Sequence, residues 1–204
     1  MIPVSNKLIE STIAALKHNN FIVHYFATPE MAKTEVLKRL KNASGIGRGG
    51  SITIENIGLI EAIKNERLPL WDYKTAEDRI TSLHAEYYLT GTNAITSDGK
   101  LVNIDGAGNR VAAMCYGPKY VFVVSGVSKI TLDETAALER IRTIAAPKNA
   151  IRLGRKTPCV KTLCCVDCDS PERICRKILI LSKPEPERIT IFLFNEIPGR
   201  EAGF

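Results

Sequence analysis

The sequence contains no apolar run long enough to cross a membrane. A membrane-spanning helix needs roughly 18 consecutive apolar residues, whereas the longest runs here are short, such as those at 120–124 and 178–181. The N-terminal residues also lack the apolar core of a secretory signal peptide. We therefore expect a cytoplasmic protein without a membrane span, in a compartment where disulfides are disfavoured.

Histidine and aromatic residues are scarce. The chain has three His and one Trp, and aromatic residues make up 6% of it. No Ser-His-Asp set for nucleophilic catalysis can be recognised. The net charge is +6, but the basic residues are scattered, and aromatic residues do not interleave with the local basic excess near the cysteines. This pattern argues against nucleic acid as a partner.

Helix and strand patterns alternate along the 204 residues. Helical patterns cover 5–19, 28–42, 55–65, 75–87, 108–116 and 133–145. Strand patterns cover 21–26, 68–71, 88–90, 93–96, 101–104, 120–124, 178–181 and 189–194. This alternation predicts one three-layer α/β domain over residues 1–204, with a mostly parallel sheet and helices on both faces. The turn at Asp98-Gly99 predicts a local β-hairpin, and the sequence is compatible with a homo-oligomer.

A glycine-rich loop at 45–53 is the first candidate ligand site. Its four glycines in six positions allow positive φ and close approach of a ligand, and successive N–H groups before a helix favour anions. Hydroxyls can donate to such an anion and Arg48 can pair with it. The predicted ligand-binding residues are Gly47, Arg48, Gly49, Gly50, Ser51 and Thr53. The alternative is a tight strand-to-helix turn without a ligand, since the spacing matches neither the P-loop nor the dinucleotide motif.

A second polar segment, 90–110, combines small residues with amides and charges. Strand ends in open α/β sheets feed ligand crevices, so Asn93, Asn103, Asn109 and Arg110 are predicted to bind a small anion there. Asp105 is the best candidate for an acid, a base or a hydroxyl-binding group. Glu86, on the predicted helix 75–87, is a second candidate base. The alternative is a hairpin followed by a helix cap.

Five of the six cysteines fall within residues 159–175. The segment Cys165-Val-Asp-Cys168 lets two thiolates reach one ion, and Cys159 and Cys175 flank it. Four thiolates suit tetrahedral zinc or an iron–sulfur cluster, so these four are the predicted metal ligands of an insertion at about 155–177. Ser170-Pro171 predicts a short helix carrying Cys175. The alternatives are Cys164 in place of Cys165, reduced thiols in a flexible loop, or disulfides that form on purification.

Several motifs together resemble the LUD domain, the lactate-utilisation family. They are the segments 47–51, 88–96, 98–106, 108–110 and 117–118, and the resemblance covers nearly the whole chain. The cysteine segment looks like that of a cysteine-bearing branch of the family. The resemblance implies a fold similar to ribose-phosphate isomerases, glucosamine-phosphate deaminases and CoA transferases. The block 91–103 is also similar to methylthioribose-phosphate isomerases, which carry Asp where this chain has Asn93, and that difference argues against isomerase chemistry.

The family's role is tied to oxidation of L-lactate to pyruvate with iron–sulfur partner proteins. The resemblance therefore implies a protein that oxidises or uses lactate or a similar hydroxy acid. We expect it to bind a small carboxylate or phosphate and to carry a cysteine-ligated metal or iron–sulfur centre that serves a redox partner. Any enzymatic activity would then be that of an oxidoreductase. The alternative is a non-catalytic metabolite-binding or redox-sensing protein with structural zinc.

Overall fold

The computed structural model describes residues 4–196 and contains both helices and strands. The α-helices are α1 (Asn6–His18), α2 (Pro29–Leu40), α3 (Ile52–Asn56), α4 (Leu59–Asn65), α5 (Ala76–Thr81), α6 (Asn109–Cys115), α7 (Glu134–Arg140), α8 (Ala146–Arg152) and α9 (Cys159–Thr162). The strands are β1 (Ile22–Phe26), β2 (Ile46–Arg48), β3 (Leu70–Trp71), β4 (Tyr87–Thr90), β5 (Ala94–Thr96), β6 (Leu101–Asp105), β7 (Tyr120–Gly126), β8 (Ile130–Thr131), β9 (Lys177–Leu181) and β10 (Ile189–Phe194). Short 3₁₀ turns lie at Ser82–His84 and Val127–Lys129.

Six strands form one parallel sheet in the order β1-β10-β7-β4-β2-β3. Parallel neighbours require crossover connections, which here carry the helices. The predicted α/β fold with a mostly parallel sheet is confirmed. Within residues 4–196, no helix is long and apolar enough to span a membrane.

The central strands are apolar on both faces, as expected for a sheet covered on both sides. On β7, Val121 and Val123 belong to the core under α1 and α6, while Phe122 and Val124 belong to the core under α2, α3 and α4. Because side chains alternate along a strand, one continuous apolar run supplies both cores. Helices therefore cover both faces of the sheet, as predicted.

A second, four-stranded sheet has the order β8-β5-β6-β9. Its β5–β6 pair is antiparallel and is the hairpin predicted at Asp98-Gly99. β9 pairs antiparallel with β6, opposing Asp105 to Lys177. The cysteine-rich segment therefore lies between α8 and a strand that returns to the polar bend after β6.

Several helix boundaries follow their predicted caps. Thr28 caps α2, with Pro29 at its first position, and Thr75 caps α5. The predicted helix 55–65 is instead two helices, α3 and α4, separated at Gly58, whose φ is +69°. The predicted helix 133–145 continues through a π-helical segment, Ile141–Ala145, into α8.

Two helix predictions are wrong in ways that affect the candidate site. The helix predicted over 75–87 ends at Thr81, a 3₁₀ turn follows, and Tyr87 pairs with Ile46 and Tyr120 in the main sheet. Tertiary pairing outweighs local helix propensity there. The short helix predicted after Ser170 is absent, and residues 173–176 form no helix or strand.

Candidate functional site

A cavity of about 260 Å³ lies where several strands end. The loops after β2 and β4 contribute Ser51 and Asn93, the end of β6 contributes Asp105, and the 3₁₀ turn after β7 contributes Lys129. The glycine loop and the polar bend after β6 therefore line one cavity, as open α/β sheets arrange their crevices.

The cavity is strongly cationic. Among the described residues, its basic lining side chains are Arg79, Arg110, Lys129, Arg152 and Arg155, whereas Asp105 is its one acidic residue. Such an excess of positive charge attracts small anions.

The predicted ligand-binding residues divide into two groups. Those that line the cavity are Gly50, Ser51, Thr53, Asn93, Asn109 and Arg110, with Asp105 beside them. Those outside its lining are Gly47, Arg48, Gly49 and Asn103, and Glu86, the second candidate base, is also outside it.

The glycines of the loop have a different structural role from the one predicted. None of Gly45, Gly47, Gly49 and Gly50 adopts a positive φ, so the expectation of left-handed backbone there is wrong. Instead, the missing side chains let neighbours approach: a Cβ on Gly47 would lie 2.7 Å from Ser82 Cβ, and one on Gly50 would lie 3.1 Å from Tyr73 Cζ. These glycines are needed for close packing.

Arg48 is buried and already paired. Its side chain is 4% exposed, and its guanidinium lies 3.0 Å from Asp72 and 3.3 Å from Glu55. The guanidinium also stacks over the Tyr73 ring at 5.0 Å. Two carboxylates therefore neutralise this arginine, and the anion-binding charges of the cavity come from other residues.

Arg110 is held by a network of neutral acceptors. It donates to Asn93 Oδ1 at 2.9 Å, to Asn103 Oδ1 at 3.2 Å and to the Ile104 carbonyl at 2.6 Å. Burial lowers the pKa of Arg110, and Asp105, 3.6 Å from its Nε, acts in the opposite direction. Apart from Asp105, the partners of Arg110 are two amides and a carbonyl, which carry no charge to compensate its own.

Asp105 has a structural role in addition to its place in the cavity. Its two carboxylate oxygens accept hydrogen bonds from the backbone N–H groups of Gly108, at 3.0 Å, and Val111, at 3.3 Å. The carboxylate therefore caps the start of α6 and fixes the helix that carries Arg110.

Two buried polar atoms near Arg110 lack hydrogen-bond partners within residues 4–196. They are the Tyr88 hydroxyl and Asn103 Nδ2. Burial raises the pKa of Tyr88, and Arg110 acts in the opposite direction, so the phenol stays neutral. Unpaired buried polar groups are uncommon in native proteins, and here they adjoin the Arg110 network.

Lys129 is the residue that the sequence did not single out. It is 3% exposed and lines the cavity. Its Nζ donates to Thr53 Oγ1 at 2.8 Å and to the Thr92 carbonyl at 3.1 Å. Burial lowers the pKa of Lys129 to about 7. A basic residue soon after an apolar central strand was the available signal, because strand ends meet at such crevices.

Glu86 lies at the other end of β4. It precedes that strand, whereas the cavity begins after it at Gly91. The Ser44 N–H and hydroxyl donate to its carboxylate at 2.8 and 2.9 Å, and these bonds lower its pKa. The structure therefore places Glu86 outside the cavity and gives it a local partner.

The four predicted cysteine ligands, Cys159, Cys165, Cys168 and Cys175, line one small pocket. Cys164 is exposed and outside this pocket. As placed, no three Cys, His, Asp or Glu side chains of residues 4–196 form a group that could hold a metal ion. The four predicted ligands therefore line the same pocket, but their side chains are farther apart than the ligands of a closed metal site.

Arg173 organises the cysteine segment. It donates to the carbonyls of Cys168, at 2.8 Å, and Cys175, at 2.9 Å, and pairs with Asp167 at 2.6 Å. Burial raises the pKa of the Cys175 thiol, Arg173 opposes this, and Cys165 and Cys168 raise it further. Those electrostatic contacts indicate that the three thiols are close.

The cysteine pocket and the cationic cavity are neighbours. Ile174 lines both of them. A narrow cleft between them is lined by Cys175 together with Asn93 and Asn149. Any group held by the cysteines would therefore lie beside the cavity.

Comparison with known proteins shows the family of this chain and a solved structure that shares its fold. The model of the LUD domain matches residues 9–194. A DUF162 family protein from Deinococcus radiodurans aligns over 95% of this chain and 100% of its own, with a TM-score of 0.59 and 14% identity, which shows a shared fold. No curated protein matches this chain.

Two further solved structures align weakly. The eIF2B delta protein from Chaetomium thermophilum aligns over 65% of this chain and 54% of its own, at 14% identity and a TM-score of 0.34. Ribose 5-phosphate isomerase from Plasmodium falciparum aligns over 51% of this chain and 54% of its own, at 13% identity and a TM-score of 0.27. Scores this low carry no conclusion about function.

Proposed function

This chain belongs to the LUD domain family, whose role is tied to lactate utilisation, and we propose on that premise that it acts in the oxidation or use of lactate or a similar hydroxy acid. In this proposal the acid binds in the cationic cavity. A metal or iron–sulfur centre is held by the neighbouring cysteines and serves a redox partner protein.

One observation carries the binding half of the proposal. The cavity brings together residues more than 70 positions apart in the chain, and its lining holds five basic side chains against one acid. A small carboxylate would compensate that positive charge. Its binding would cost little side-chain conformational entropy, because Arg110 is already fixed by Asn93 and Asn103.

In this proposal, different cavity residues contact different groups of the hydroxy acid. Arg110 and the arginines at the cavity mouth would hold the carboxylate. Thr53 and Asn109 would contact the hydroxyl or its oxygen. Asp105 remains the predicted acid or base, although its contacts to the start of α6 compete for its oxygens.

Calorimetry tests the binding half. L-lactate, propionate and inorganic phosphate are titrated at matched ionic strength into the full chain and into Arg155→Ala, which removes an exposed cavity-lining charge. We expect L-lactate to bind, and Arg155→Ala to weaken it roughly five- to tenfold. Lys64→Ala, which removes a distant exposed charge on α4, is the matched control. Equal weakening by both variants, or no binding, would contradict the proposal.

The cysteine pocket supports the second part of the proposal, a metal or iron–sulfur centre held by cysteines. Four free thiols line it, the Asp167 N–H donates to Cys165 Sγ at 3.4 Å, and the positive Arg173 lies among them. Thiolates with nearby N–H donors and a cation fit a four-cysteine zinc or iron–sulfur centre. An iron–sulfur centre supplies one-electron transfer when bound, whereas zinc supplies structural support.

An oxygen-free preparation tests this half. Iron, sulfide and zinc are measured in the wild type, in Cys168→Ser and in Cys115→Ser, whose cysteine lies far along the chain from the pocket. Iron and sulfide that disappear only in Cys168→Ser support the redox proposal. Zinc without colour favours the alternative of a non-catalytic binding or sensing protein. A protein free of both metals would contradict a bound centre.

A further inference from the structure

The amine of Lys129 has a hydrogen-bonding environment that suits its neutral form. A neutral amine has two hydrogens and one lone pair, whereas an ammonium has three hydrogens. Lys129 Nζ has two acceptors, Thr53 Oγ1 and the Thr92 carbonyl. The remaining tetrahedral position is then available for a lone pair.

The charges around Lys129 also favour the neutral form. Within residues 4–196, no carboxylate pairs with its Nζ at salt-bridge distance. The charged groups that act on it are Arg140 on α7, Arg110 on α6 and Glu196 after β10. Burial, with a smaller contribution from the two arginines, lowers the pKa of Lys129 to about 7, and Glu196 acts in the opposite direction. An unprotonated amine is therefore well populated near neutral pH, as reactive lysines require.

The cavity supplies the complementary half of a reaction. Its arginines attract a carboxylate, and its volume of about 260 Å³ admits a small acid. A 2-oxo acid carries a carboxylate and an electrophilic carbonyl carbon on adjacent atoms. Binding its carboxylate to the arginines would place the carbonyl within the same small space as the Lys129 amine.

We propose that the amine of Lys129 attacks the carbonyl carbon of a 2-oxo acid bound in this cavity and forms an imine. The nitrogen lone pair forms the new C–N bond, and the two amine protons leave with the carbonyl oxygen as water. No electrons are gained or lost, so no oxidant or reductant is required. The inference rests on the proposed binding of small acids in the cavity and extends it to a covalent step.

Reductive trapping tests the inference on the full chain. Pyruvate and sodium cyanoborohydride are added, and peptides are mapped for an N-(1-carboxyethyl) group on lysine. We expect labelling of Lys129 at least about tenfold faster than of exposed lysines such as Lys64. The rate should rise between about pH 6 and about pH 8, because the protonated amine has no lone pair. Propionate binds as a carboxylate but has no ketone, so it should slow the labelling of Lys129 and leave the labelling of exposed lysines unchanged.

Matched variants separate a specific amine from general lysine chemistry. Lys177→Met removes a nearby amine that bonds the Gly106 carbonyl and does not line the cavity, and Lys129 labelling should persist in it. Lys129→Met should lose the fast-labelled site while its slow surface labelling is unchanged. If that variant fails to fold, the wild-type peptide map decides alone.

Two negative results have different meanings. Calorimetric binding of pyruvate and propionate without preferential labelling of Lys129 would overturn the imine and leave the proposed binding function intact. Absence of any acid binding to the cavity would overturn both.

Discussion

The cationic cavity and the cysteine pocket are neighbours built in opposite ways. The cavity side chains follow strand ends, and its central Arg110 is fixed by three hydrogen bonds and is only 12% exposed. The cysteine pocket depends on the stretch between Thr162 and Lys177, in which the structure has no helix or strand. Arg173 is its main internal support. The cavity side chains are therefore held in place without a ligand. The cysteine segment lacks regular structure, and such segments commonly become ordered when they bind a metal.

The largest expected effect comes from Arg110→Met. The change leaves Asn93 Oδ1, Asn103 Oδ1 and the Ile104 carbonyl without their donor and leaves Asp105 without its cation. We expect a loss of about 3–5 kcal/mol in the free energy of unfolding, measured by urea denaturation. Arg155→Met, at the exposed mouth of the same cavity, should change stability by less than about 0.5 kcal/mol. Equal stabilities for the two variants would show that the cavity is not organised by Arg110.

The second prediction concerns the pH dependence that Lys129 imposes. In the unfolded chain this lysine keeps its proton up to about its ordinary pKa of 10.5, but in the folded chain its pKa is about 7. Between these values the unfolded state binds more protons, so rising pH stabilises the wild type relative to Lys129→Met. We expect the free energy of unfolding of the wild type to rise by about 2 kcal/mol relative to that of Lys129→Met between about pH 7 and about pH 9. Urea denaturation at each pH measures this difference. A constant difference across this range would contradict a buried amine of low pKa.

Arg173→Ala should loosen the cysteine segment and spare the cavity. It removes the donors to the Cys168 and Cys175 carbonyls, at a cost of about 1–2 kcal/mol. Because the stretch between Thr162 and Lys177 has no helix or strand, we expect faster amide hydrogen exchange within 164–177 and unchanged exchange in β4, β7 and β10. Spreading of fast exchange to those strands would show that the two regions are not separable.

The smallest expected effect comes from Glu86→Gln, at the end of β4 remote from both sites. Ser44 bonds lower the pKa of Glu86, so its stabilisation is present above the unfolded pKa and is lost as pH falls through the folded pKa. We expect a loss of a few tenths of a kcal/mol at neutral pH, because the group is partly exposed, and unchanged L-lactate binding by calorimetry. A strong fall in binding would restore Glu86 as a candidate base.

The sequence predicted most of the fold because the deciding signals were local. Short apolar runs predicted β7 and β10, and the caps at Thr28 and Thr75 predicted helix starts. The main errors lay where tertiary contacts overrule local propensity, as at Tyr87, which joins two strands instead of extending a helix. The second sheet was missed because β8 has only two residues and β9 pairs across a long connection.

The candidate site was predicted in part. Of the glycine loop and the polar bend, the residues that line the cavity were recognised from their type, but Arg48 was expected to bind an anion and instead pairs with Asp72 and Glu55. Nothing local distinguishes Arg48 from Arg110, since each is a basic residue within two positions of a glycine. Their roles differ because two carboxylates surround the first, whereas the second has one, Asp105, and its other side-chain partners are amides.

The sequence by itself determined most of the strands, the hairpin turn, the helix caps and the grouping of four cysteines, because each depends on residues close together in the chain. Only the tertiary structure decided which charges share the cavity. Thr53 and Lys129 are 76 residues apart, yet their side chains are hydrogen-bonded. Parallel strands joined by crossovers bring distant strand ends to one edge of the sheet, and burial at that edge, which no local pattern encodes, lowers the pKa of Lys129.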